Sequence, residues 1–111
     1  MSRLSINLYY LANDSKTLLQ EMYVRISQDI SKGLERKAEY EKAIEKETSK
    51  IMILSYRELL NDLEREIYEA ERKKKHIDEM WEAYDRLMNR IGEGTVENTV
   101  LIPAEELEEK Q

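Results

Sequence analysis

Chemistry needs titratable or nucleophilic side chains brought together, and this chain offers few places where that can happen. His76 is the only histidine, and with Glu79 it forms a His-x-x-Glu pair one helical turn apart. Carboxylate metal sites in helical bundles draw on several inward-facing acids and usually a second histidine, so a solvated surface histidine is the expected reading. Cysteine is absent. That excludes disulfides, thiolate metal sites and cysteine nucleophiles, and it fits a reducing compartment. There is no glycine-rich phosphate loop, no serine in an elbow motif and no isolated carboxylate pair. Most Asp and Glu sit where pairing with Lys or Arg along a helix accounts for them. The expectation is a protein that is not an enzyme, with no catalytic, metal or cofactor-binding residues and no small-molecule substrate.

Two clusters remain. Arg72, Lys73, Lys74 and Lys75 are four successive basic residues. On a helix they point in four directions and form a ring, which suits a solvated crossing point better than a groove-reading stripe. The alternatives for Arg72, Lys73 and Lys75 are contact with an acidic partner or with nucleic acid. The net charge of −6 argues against a general nucleic-acid binder, because neutralising phosphates needs a positive surface. The acidity is concentrated late: 12 Lys/Arg face 11 Asp/Glu over residues 31–75, but 3 face 10 over 76–111. The second cluster is Ile77, Trp81, Tyr84, Met88 and Ile91, with Lys74 in the same line. Core packing is the first reading of these residues. The functional alternative is a partner-binding patch, since aromatics and Met are enriched at interface centres.

The elements that must carry these residues are helices. Ile53, Tyr56, Leu60, Leu63, Ile67, Ala70, Lys74, Ile77, Trp81, Tyr84, Met88 and Ile91 alternate three and four apart without slipping. A strict 3.5-residue repeat keeps one seam toward a partner helix, as in a left-handed coiled coil. Lys74 is its one charged step. A polar residue there can set register, or mark where the partner helix changes. A helix over 49–91 would be about 60 Å long at 1.5 Å per residue. Extra apolar residues at Ile51, Leu54 and Leu59 broaden the stripe at its start, so that end is expected to be more deeply buried than a two-helix seam requires. Gly92 and Gly94 end the helix.

Upstream, Leu4, Leu8 and Leu11 predict a short helix over 3–12, stopped by Asn13-Asp14-Ser15. Leu19, Met22, Ile26 and Ile30 place the face of a second helix over 15–47, in which Gly33 predicts a bend. Thr48 or Ser49 can cap a reversal, with a continuous helix as the rival reading. Downstream, "TVENTVLIP" is strand-like but has no sheet to join, and "PAEELEEK" is acidic. The reading is all-α: a helical domain over 1–92, built as a long antiparallel hairpin with a short N-terminal helix, then an extended acidic tail or linker over 93–111.

The longest dense apolar run, "IMIL", spans four residues, so no membrane span or secretory leader is expected and the protein reads as soluble and cytoplasmic. The abundance of Glu, Lys and Ile also fits thermophile composition.

The segment "LLQEMYVRISQDI" from Leu18, the basic turn "AERKKKHI" in the long helix and the tail "VLIPAEELEEK" together resemble the α-helical domain of an archaeal GINS subunit. The resemblance covers residues 18–110. It implies a non-catalytic DNA-replication scaffold that packs against sister subunits and bridges the MCM helicase motor to a RecJ-like partner. The residues alone point to a scaffold or assembly subunit acting through helix–helix packing with protein partners. The other classes are a homo-oligomeric coiled-coil interaction protein, such as a small viral or chaperone-like factor, and a nucleic-acid-binding accessory subunit.

Overall fold

The computed structural model describes residues 3–103, with side chains placed over 6–99. Its order is β1 (Arg3–Asn7), α1 (Leu8–Lys46), α2 (Lys50–Gly92) and β2 (Thr99–Pro103). The two long helices pack against each other, and the chain divides into two compact units, Met1–Gln20 with Glu79–Gln111 and Glu21–Asp78. The acidic end of the expected tail, residues 104–111, lies outside the described residues.

In the Glu21–Asp78 unit the chain reverses through Glu47, Thr48 and Ser49, so α1 and α2 run antiparallel. The partly buried α1 residues here include Tyr23, Ile26, Ile30, Gly33, Lys37, Tyr40 and Ile44, which alternate three and four apart, with Ser27 and Ala43 beside them. Their partners on α2 descend as α1 ascends. Lys74 stands over the Tyr23 ring, Ile67 meets Gly33, and the Tyr40 and Tyr56 rings lie 6.2 Å apart. Two features of the expected face change. Met22 is 48% exposed and Tyr23 takes its place, while Gly33 and Lys37 occupy seam positions that no apolar residue marks.

Gly33 does not interrupt α1. A Cβ at this position would stand 3.0 Å from Ile67 Cγ1 and 3.3 Å from its Cδ1, so the missing side chain lets α2 approach closely. The glycine is a packing residue. Its loss of helix propensity, about 1 kcal/mol against alanine, is the cost of that approach.

In the other unit, the expected helix over 3–12 is not a separate element. Residues 3–7 form β1, which pairs antiparallel with β2 from Arg3 opposite Pro103 to Asn7 opposite Thr99. The strand expected to have no sheet therefore has one. "RLSIN" alternates with period two as well as contributing Leu4 to a helical spacing, and the pairing decides between the two periods. α1 starts at Leu8 and runs through Asn13–Ser15 without a stop. Its cap is Asn7, whose Oδ1 accepts from the Tyr10 amide at 3.1 Å. Asn98 satisfies two more of the free first-turn amides: its backbone oxygen accepts from Leu8 and its Oδ1 from Tyr9.

α2 closes with a paired C-terminal bond pattern. The Gly94 amide donates to Ile91 O and the Thr95 amide to Arg90 O, with Gly94 at φ 79°. This left-handed step is where glycine is required, and Thr95 Oγ1 adds a second donor to Arg90 O.

Replacing Gly33 with leucine should lower unfolding stability by about 2 kcal/mol, despite the better helix former, because Ile67 leaves no room. Urea denaturation measures this, and an unchanged or raised midpoint would show that α2 does not approach there as described.

Candidate interaction surface

Three lysines occupy the seam, and each has a specific partner. Lys16 is the most complete. Its Nζ lies 2.7 Å from Asp85 Oδ1 and 3.9 Å from the Trp81 ring centroid, with the lysine side chain only 16% exposed. The butyl stem covers apolar surface while the ammonium is held by a carboxylate on one side and a π face on the other. In the Glu21–Asp78 unit, Lys37 Nζ sits 3.5 Å from Glu64 Oε1, and Lys74 Nζ lies 4.8 Å from the Tyr23 centroid. A charged step in a seam usually weakens it. Here the seam also supplies the compensating group.

These contacts place most of the residues singled out by the sequence. Ile77 is buried. Lys74, Tyr84, Met88 and Ile91 are half-buried, and Trp81 is 36% exposed beneath Lys16. Arg72, Lys73 and Lys75 are exposed, while Lys74 is turned to Tyr23, so the four basic residues do not share one face. His76 and Glu79 are exposed and hold contacts of their own. Among the described residues, no group of three His, Asp or Glu stands where it could hold a metal ion, and no helix is long and apolar enough to cross a membrane.

The seam hides little. Among the described residues, Ala12, Leu19, Leu63 and Ile77 form the buried core. Several large apolar side chains outside it are exposed. In the unit containing the termini, Leu11 and Leu18, seven residues apart on α1, are 51% and 61% exposed. In the Glu21–Asp78 unit the four residues after Lys50 at the start of α2 are all apolar, yet Ile51 is 76% and Leu54 60% exposed. The expectation that this end is buried beyond what a two-helix seam requires is wrong, because Ile53 and Tyr56 are the partly buried side while Ile51, Leu54 and Leu59 are exposed. A shallow open depression on α1 is lined by Tyr23, Val24, Ser27, Gln28, Ser31 and Lys32, and Ser27 Oγ is buried beside it without a hydrogen-bond partner.

The exposed leucines could not be picked out in advance, because sequence spacing does not say which of two apolar stripes a single partner helix covers. Lys37 was missed for a different reason: a charged residue gives no hydrophobic signal even when it fills a seam position.

No family model, curated protein or solved structure matches the chain.

A double-mutant cycle between Lys16→Met and Asp85→Asn should return a coupling of about 1 kcal/mol that 0.5 M salt only partly removes. Chemical denaturation of the four proteins measures it, and a coupling indistinguishable from zero would place the pair among ordinary surface ion pairs. Lys74→Leu should raise the thermal midpoint by a few degrees, about 1 kcal/mol, because leucine fills the seam without a charge to compensate. A lowered midpoint would mean that the Tyr23 contact outweighs apolar packing.

Proposed function

We propose that this protein is a non-catalytic assembly subunit that works by packing its helices against other protein chains. The observation that carries the reading is the exposure of Leu11, Leu18, Ile51 and Leu54 beside a core of very few buried side chains. Monomeric domains rarely leave apolar residues clustered in water, and helix faces of this kind are buried in larger assemblies. The most specific form of the reading is a DNA-replication scaffold of the GINS kind attached to a replicative helicase, supported by the resemblance over residues 18–110. A second form, a homo-oligomeric coiled-coil protein, is favoured by the unbroken seven-residue spacing in both helices.

Native-concentration purification followed by mass measurement tests the reading. The expected result is a particle heavier than the 13.3 kDa chain. Leu11→Glu combined with Leu18→Glu should weaken association at least tenfold while leaving the thermal midpoint of the isolated chain within a few degrees, since both side chains are exposed. A single-chain mass both in the cell extract and at high concentration would remove the proposal.

A further inference from the structure

The unit containing the termini carries a second set of evenly spaced residues beside its seam. On α1, Leu11, Ser15 and Leu18 stand directly before the seam residues Ala12, Lys16 and Leu19. On α2, Met80, Ala83, Leu87 and Arg90 stand directly before Trp81, Tyr84, Met88 and Ile91. In an antiparallel pair, rows turned the same way from the seam lie on the same flank. That flank is apolar apart from Ser15 and Arg90, and it is open, with Leu11, Leu18 and Ala83 exposed. The residues directly after the same seam positions lie on the opposite flank. They are Asn13, Thr17, Gln20, Glu82, Asp85 and Asn89, all polar. One flank suits water and the other does not.

We infer that this apolar flank is the contact surface of a dimer, in which α1 of each copy rests on α2 of the other. This rests on the reading that the protein acts by helix packing, and it names a second copy of the chain as the partner. A two-fold axis parallel to the helices makes the arrangement and keeps every residue at its own height along them. The heights follow from Lys16, which meets both Trp81 and Asp85 and so stands level with the turn between them. Counting away from that level in opposite directions, Leu18 falls between Met80 and Ala83 of the second copy. Ser15 falls between Ala83 and Leu87, and Leu11 between Leu87 and Arg90. The two rows interdigitate, and four helices then share one core where two shared a seam.

Charge selects the second copy and its orientation. Asp14 directly precedes Ser15 and Arg86 directly precedes Leu87, so each stands one step further round, at the outer edge of its row. By the same count of heights, Asp14 of one copy is level with Arg86 of the other, and symmetry makes this contact twice. Arg90 lies one turn from Arg86 and adds to the basic edge. The other two-fold stacking, with α1 on α1, would set Asp14 beside Asp14 and Arg86 beside Arg86. Within the chain Arg86 meets Glu82 at 4.0 Å with both side chains exposed, a contact weak enough to exchange. The opposing features are Glu79 and Glu93, two turns to either side of Arg86 in the same row.

Mixing experiments on the full chain test this. Leu18 and Ala83 are exposed, and the chain has no native cysteine to compete. Leu18→Cys mixed with Ala83→Cys should give a disulfide between two chains under mild oxidation, because these positions are neighbours across the contact. Either variant alone should link far less, since like helices lie on the diagonal of the bundle, about 13 Å apart. Asp14→Arg and Arg86→Asp should each weaken the dimer about tenfold, read as mass from about 1 μM to 1 mM. An equal mixture of these two variants should associate as tightly as the native chain, because both contacts again join opposite charges. Linking by one cysteine variant alone as readily as by the mixture would overturn the arrangement and leave the packing function standing. So would native affinity in both charge-reversed variants. A single-chain mass for the purified protein over the whole range would remove the dimer, while a heavier particle in the cell extract would still support packing on other chains.

Discussion

Two helices that meet along one line can each hide a side chain only about every three and a half residues, and every other position faces water. This constraint governs how the chain is built. A seam that narrow cannot draw its specificity from a thick core, so it depends on which residue stands opposite which. Gly33 against Ile67 is one such match, in which the absence of a side chain sets how closely the helices approach. A slip of one seven-residue step would set Ile26 or Tyr40 against Ile67 in place of Gly33. Close packing along a line therefore acts as a register mark, much as a buried polar residue does in longer coiled coils.

The lysines work in the same way through charge. A lysine placed in a seam loses hydration, and it is tolerated only where another group returns part of that interaction. Lys16 recovers it from Asp85 and Trp81, Lys37 from Glu64 and Lys74 from Tyr23. A change of register would separate each ammonium from that partner. The sites that lower the stability of the seam also exclude its competitors, which is the use of polar seam residues best supported in other coiled coils.

How far this was legible in the sequence depends on the residue. The α2 seam could be read from end to end, because its members are apolar apart from Lys74 and their spacing never slips. The α1 seam could be read only in part. Gly33 and Lys37 carry no hydrophobic signal, so the apparent face ended at Ile30 and took in Met22, which is exposed. The start of α1 was obscured by competition between caps: Asn13-Asp14-Ser15 is the richer capping cluster, yet Asn7 caps the helix. Local signals could not settle this, because β1 is fixed by its pairing with β2 from the far end of the chain. The interaction surface was the least legible part, since exposure is decided by which stripe the partner helix happens to cover.

The chain treats its two kinds of helix end differently. Where α1 begins and α2 finishes, the free amides and carbonyls are met by Asn7, Asn98 and the bonds around Gly94, and strand pairing joins the flanking segments. Those bonds tie residues far apart in sequence, so they disappear together if that end separates. Where α1 finishes and α2 begins, the stabilising groups are the side chains of Glu47 and Ser49, acting on amides one to three residues away. Local caps of this kind are worth about 1 kcal/mol each and can be replaced by ordinary helical bonds. The terminal end is therefore held by bonds between residues far apart in sequence, and the reversal by local ones.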